Sequence, residues 1–215
     1  ARRRRRRRSR LLPRLRIITG NPSALDAAGR VVINHSNGRV FDALAARFPG
    51  CRIALPLLPL PHKSMNHALA FPRDRVCVLP PLANTISAQR NYLETRRRLR
   101  AFSASCDALF IRVPFQLPPA LLGLGTPKLL HVVGNPTEIV AASTDYHGLQ
   151  GWAARTFAGY LERTLGRSVR EPRTRVVSNG SEMWRRLGCR DGRVVVSSCL
   201  RRDEMRPRTN ASLRD

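Results

Sequence analysis

Short apolar runs closed by Gly, Asn or Pro alternate along this chain with stretches at helical spacing, and that alternation constrains the fold more than any single motif. The sharpest run is Leu129-Leu130-His131-Val132-Val133, ended by Gly134-Asn135-Pro136. Its continuous apolar content is that of a strand buried on both faces, because a half-solvated strand alternates apolar with polar residues. Strands are read at 15–19, 52–58, 75–79, 108–113, 128–133, 173–177 and 193–197. Between them lie a helix carrying Val40, Phe41, Leu44, Ala45 and Phe48, a long one capped by Asn84 and reaching Phe102, and short ones at 118–122 and 181–187. The segment from Gly20 through His35 and the Pro- and His-rich stretch 59–71 read as loops, the latter with room for one helical turn. The pattern predicts an α/β fold, a Rossmann-like parallel sheet with helices on both faces and right-handed crossovers.

The longest helical signal is 149–165, where Leu149, Trp152, Ala153, Phe157, Tyr160, Leu161 and Leu165 recur at offsets of 0, 3, 4, 8, 11, 12 and 16. This stripe is expected to face the core, with Gly166 ending the helix. Alanine at Trp152 or Phe157 is then expected to cost about 3 to 5 kcal/mol.

With 215 residues and 42% hydrophobic content the chain can bury a core. Its net charge of +25 is nearly all arginine, since Lys63 and Lys128 are the two lysines, and Arg2–Arg8 with Arg10 supply 8 of the charges. Residues 1–14 are expected to form a disordered Arg-rich tail, 15–200 the folded domain, and 201–215 a linker or tail. Arginine excess accompanied by abundant Ala, Gly and Pro reflects either a coding bias or a selected anion-binding surface. The five cysteines are scattered without CxxC spacing, which argues against a zinc site or a disulfide scaffold. The apolar run 53–60 is too short to span a bilayer and is broken by Pro56 and Pro59. A cytoplasmic protein is expected, with peripheral association at the inner face of the membrane as an extension of that expectation.

No GxSxG, GxxxxGK[ST], HExxH or GxGxxG motif occurs, so no self-sufficient catalytic or dinucleotide site is read. Candidate binding residues therefore come from strand ends, where open α/β sheets bind ligands. They are Asn37 and Gly38, whose amides could meet a phosphate or simply begin a helix; Arg112; and Gly134, Asn135 and Glu138 behind the 128–133 strand. Arg112 is read either as an ion-pair partner or as a contact for an anionic substrate group. Asn21, Ser178, Asn179 and Gly180 sit at other strand ends, with Asn179-Gly180 most simply a turn. His131, inside its strand, is read as a hydrogen-bonded core histidine ahead of a catalytic one, and His35 as a loop residue ahead of an acid or base. No metal or cofactor is called for by any of these groups.

Four segments together carry a resemblance: Ile17-Ile18-Thr19-Gly20; Asn37-Gly38-Arg39-Val40-Phe41-Asp42-Ala43-Leu44; Cys106 through Pro114; and Lys128 to Gly134. In that order, and followed by Arg175-Val176-Val177-Ser178-Asn179-Gly180-Ser181-Glu182-Met183 and Arg193-Val194-Val195-Val196, they resemble the N-terminal domain of family 4-type GT-B glycosyltransferases. The resemblance covers roughly 15–203 and implies an acceptor-binding domain whose partners are a glycan or lipid-linked acceptor. It also implies that a nucleotide sugar is held only with a C-terminal domain. Peripheral contact with an anionic membrane is compatible with it, and nucleic acid is not an expected partner. The family's N-domain histidine has no assignable match, so catalytic residues are left unassigned, and the chain on its own is expected not to transfer sugar. The rival expectation is a nonenzymatic Arg-rich binder of polyanions, nucleic acid or an anionic membrane.

Overall fold

The computed structural model describes residues 12–82, 85–113, 118–143, 147–189 and 192–195. In chain order the elements are β1 (Leu15–Thr19), β2 (Ser23–Leu25), β3 (Val31–Ile33), α1 (His35–Arg47), β4 (Arg52–Pro56), β5 (His67–Ala68), β6 (Val76–Leu79), α2 (Thr85–Arg90), α3 (Tyr92–Ser103) and β7 (Ala108–Val113). A 3-10 turn at Pro118–Leu121 leads to β8 (Lys128–Val132), α4 (Pro136–Ala142), α5 (Gly148–Val169), β9 (Thr174–Asn179), α6 (Ser181–Arg186) and β10 (Gly192–Val195).

Seven of the described strands form one parallel sheet in the order β10-β9-β8-β7-β1-β4-β6. This is a Rossmann-like α/β fold. The chain builds outward from β1 through β4 to β6, then returns to the other side of β1 at β7, so the strand order reverses between β1 and β7. Alternate residues of each strand feed opposite cores. Ile18, Ile111, Leu130 and Val176 pack with Leu99 and Phe102 of α3, Leu165 of α5 and Met183 of α6. Ile17, Ile53, Leu55 and Phe110 pack with Phe41 of α1 and with Val31 and Ile33.

The last two belong to a feature the sequence reading treated as loop. β2, β3 and β5 make a small antiparallel sheet, with Ser23 opposite Ile33 and Ile33 opposite His67. Segments of two or three residues are too short to show a period. Asp26 closes the β2–β3 turn by accepting from the amides of Ala28 and Arg30, at 3.0 and 2.8 Å, with Gly29 at φ 73°.

Several boundaries also differ. The long helix expected from 84 to 102 is two helices, α2 and α3, and Asn84 lies outside the described residues, as does the Arg tract of 1–11. α5 runs through Gly166 to Val169, because glycine inside a helix costs stability without stopping the hydrogen-bond ladder. The stripe expected to face the core on α5 instead faces outward in large part. Leu149, Trp152 and Tyr160 are 87%, 64% and 45% exposed, and the buried face is instead Gly151, Ala158, Leu161, Thr164, Leu165 and Ser168.

Lys128 is buried at the start of β8, where it donates to the Leu124 carbonyl at 2.9 Å and pairs with Glu171, which also accepts from the Gly123 amide at 3.0 Å. Arg16 is buried as well, donating to the Gly50 carbonyl at 3.1 Å with its guanidinium 5.8 Å from the Phe102 ring centre. Burial, then the nearby Arg52, pulls its pKa down. Both cations sit on the amino edge of the sheet and belong to the scaffold.

Candidate functional site at the carboxyl edge of the sheet

Parallel pairing places Thr19, Arg112, His131 and Val177 side by side in one row across β1, β7, β8 and β9. Equivalent residues of adjacent parallel strands point to the same face, so Thr19, Arg112 and His131 share one face of the sheet at the point where the strand order reverses, with Thr19 and His131 buried and Arg112 half-buried. Arg112 Nη1 donates to His131 Nδ1 at 3.2 Å. That bond requires an unprotonated Nδ1 and therefore a neutral imidazole with its proton on Nε2. Burial, followed by the charge of Arg112, pushes the His131 pKa down to about 4, in keeping with that tautomer. The histidine ring is 5.7 Å from that of Phe110. His131 is thus a core residue that also accepts a hydrogen bond from Arg112.

Gly134 and Asn135 follow directly. The sequence predicts only a loop behind the strand here, but Asn135 caps a helix, α4, with Pro136 in its first turn where a missing N–H is harmless. Asn135 Oδ1 accepts from Thr137 N at 3.0 Å and Thr137 Oγ1 at 2.7 Å, and Asn135 Nδ2 donates to Glu138 Oε1 at 3.0 Å. The buried asparagine therefore spends its polar atoms on the start of α4. Glu138 is exposed and also lies 3.5 Å from Arg186 of α6. Arg186 pairs with Glu162 of α5 and donates to Thr137 Oγ1 at 3.1 Å, which ties α4, α5 and α6 together.

Asn37 and Gly38 are placed differently from expectation. They are the third and fourth residues of α1, and Asn34 is the cap, accepting from Ser36 N at 3.1 Å. The Gly38 amide is spent on the Asn34 carbonyl at 3.0 Å, so it is not a free donor for a phosphate. Glycine is required there for room: a Cβ would come within 2.1 Å of His67 Cδ2. His35 is the first residue of α1, not a loop residue, and its ring stands edge-on to His67 at 5.3 Å. His67 Nε2 donates to Asp42 Oδ2 at 2.8 Å, and Asp42 Oδ1 accepts from the Ala70 amide at 2.9 Å. The His67–Asp42 pair was not read from the sequence, because its partners are 25 residues apart and β5 gives no periodic signal. α1 ends beside the start of β4 and so begins on the carboxyl side of the sheet, as does α5, which ends beside the start of β9.

At the other strand ends, the Asn21 amide donates to Thr19 Oγ1 at 3.1 Å. Ser178 Oγ donates to the Gly180 carbonyl at 3.0 Å, and Gly180 has a φ of 94°. Ser178 and Asn179 are the last residues of β9, so the turn expected at 178–180 reduces to Gly180. Two open cavities lie at the opposite, amino edge. One of about 710 Å³ is lined by Arg170, Glu171, Arg173 and Thr174, and one of about 490 Å³ by Arg100, Cys106, Thr126 and Arg173. Their walls are loops between helix and strand, and the switch-point row is not part of them. Among the described residues no group of three or more His, Cys, Asp or Glu side chains could hold a metal ion, and no helix is long and apolar enough to cross a membrane. The four described cysteines are free thiols, and burial drives Cys51 up to about 11.

The row sits at the switch point, where open α/β sheets of this kind form their binding crevice, and the chain is a Rossmann-like domain with an arginine at that point. No protein-family model and no curated protein matches the chain. Among solved structures it is similar to a ugt transferase from Siraitia grosvenorii in complex with UDP, at 12% identity and a TM-score of 0.41. That similarity covers 81% of this chain and 47% of the other, so the chain spans about half the length of that protein.

Proposed function

We propose that the chain is the acceptor-side half of a glycosyltransferase, acting in sugar transfer from a nucleotide sugar to an anionic glycan or lipid-linked acceptor. The observation that carries this reading is the Arg112–His131 pair at the switch point, a half-buried guanidinium hydrogen-bonded to an imidazole that adds no positive charge of its own. A guanidinium presents a planar fork of donors matched to phosphate or carboxylate oxygens. The sequence resemblance to GT-B acceptor domains supplies the reaction class. In this reading Arg112 grips the acidic group of the acceptor, and Gly134 lets the chain pass close to it. Asn135 and Glu138 hold the start of α4 beside the crevice, and on its α1 side Asn37 stands next to Gly38, which makes room for His67. A separate donor domain grips the nucleotide sugar, and closing the two halves holds the reacting atoms together and excludes water. No residue here is assigned to the chemical step.

The test is binding of a short-chain isoprenyl phosphate, measured by calorimetry on the wild type and on Arg112→Ala, Arg112→Lys and His131→Gln. The reading expects Arg112→Ala to weaken binding at least tenfold, with Arg112→Lys recovering part, since lysine keeps the charge and loses the fork. Equal affinity in all four proteins would remove Arg112 from the site.

A further inference from the structure

The outward face of α5 carries side chains that a globular surface does not normally expose together. Leu149, Trp152 and Tyr160 are 87%, 64% and 45% exposed. Arg163 and Arg167 continue the same stripe, lying at offsets of 14 and 18 from Leu149 where Trp152 and Tyr160 lie at 3 and 11. Arg155 and Arg170 flank it, and all four arginines are exposed. None of the four forms an ion pair among the described residues. Glu162, the acidic residue of α5, is already held by Arg186 and Thr137. The stripe therefore combines an apolar, aromatic end near the carboxyl edge with a cationic end, where Glu162 lines a cavity with Arg163, Arg167 and Arg170 but is paired with Arg186.

We propose that this face of α5 docks on a bilayer containing anionic phospholipid. Trp and Tyr favour the membrane–water boundary, where the ring is buried and its polar atom stays wet, and arginines near such a surface are attracted to lipid phosphates. A partner that wraps a basic helix does not fit, because the opposite side of α5 is committed to the core through Ala158, Leu161 and Leu165. A broad, flat, negatively charged surface does. Duplex nucleic acid would satisfy the arginines and leave Leu149 and Trp152 without an apolar counterpart. The surface is separate from the Arg112–His131 crevice and stands or falls without it.

The full chain is mixed with vesicles of phosphatidylcholine, with and without phosphatidylglycerol, at physiological salt. Sedimentation and tryptophan emission are read together, with brominated lipid as a quencher. The expected result is binding to the anionic vesicles with a blue-shifted, quenched emission that disappears in Trp152→Phe, since Trp184 packs against the core. Leu149→Ser with Trp152→Ser is expected to lower partitioning about tenfold, and Arg163→Gln with Arg167→Gln about tenfold or more. All substituted side chains are exposed, so melting temperatures check that the fold is kept. Wild-type partitioning in both double variants would overturn the proposal and assign vesicle binding to the Arg tract. An unshifted, unquenched emission, or the same shift with duplex DNA alone, would overturn it too.

Discussion

Arg112 and His131 stand side by side on neighbouring parallel strands, and the arginine donates to the histidine across 3.2 Å. The imidazole is neutral as a consequence. With the His131 pKa displaced from 6.5 to about 4, the unfolded chain binds a proton in that interval that the folded chain does not. Stability from this group is fully present above about pH 6.5 and falls as the pH drops toward 4. A displacement of that size is worth about 3 kcal/mol. Urea unfolding between pH 7 and 4 is expected to show that slope in the wild type and to lose it in His131→Gln. An unchanged slope in the variant would place the titrating group elsewhere.

Lys128 and Glu171 should be far more costly to separate than any surface pair. The Lys128 side chain is 2% exposed, and removing Glu171 strands its charge. Glu171→Ala is expected to destabilise by about 3 to 5 kcal/mol in chemical denaturation. Combining it with Lys128→Met should recover a large part, because the buried charge then disappears; no recovery would mean that Glu171 acts mainly through the Gly123 amide.

Gly38→Ala tests the packing at the start of α1. The new methyl would overlap His67 Cδ2 and Cγ, at 2.1 and 2.6 Å, and push the ring off Asp42. Overpacking of this kind costs about 1 to 3 kcal/mol, more than the helix gains from alanine. A melting temperature equal to or above that of wild type would show that His67 can move aside freely.

The two sides of α5 should respond oppositely to truncation. Leu161→Ala and Leu165→Ala remove side chains that are 8% and 2% exposed, and are expected to cost about 2 to 5 kcal/mol. Leu149→Ala and Trp152→Ala are expected to stay within about 0.5 kcal/mol of wild type. Comparable losses at all four would restore the stripe first read from the sequence.

That contrast marks what the sequence could and could not reveal. The strands of the large sheet were legible because each carries adjacent apolar residues with a turn residue close behind, even where, as in β9, polar residues flank the apolar pair. Periodicity then identifies which residues share a helix face, and Leu149, Trp152 and Tyr160 do share one. It does not say which face the sheet covers, because Leu161 and Leu165 belong to the same apolar set yet point inward. Of the candidate site, Arg112 was visible as a charge near the end of an apolar strand. Its partner was named only as a core histidine, since the register that sets His131 beside it is a property of the assembled sheet. Asn34 was missed as the α1 cap because Asn37-Gly38 offers the stronger local signal, and the His67–Asp42 pair depends on a two-residue strand.

The most direct test of the carboxyl-edge site is backbone amide NMR of the labelled chain during titration with a short-chain isoprenyl phosphate. Shifts are expected to concentrate at Thr19–Asn21, Arg112–Val113 and His131–Asn135, and to be lost in Arg112→Ala. Shifts concentrated at Arg170–Arg175, around the cavity on the amino edge, would contradict that placement, as would saturating shifts at the crevice that persist without Arg112.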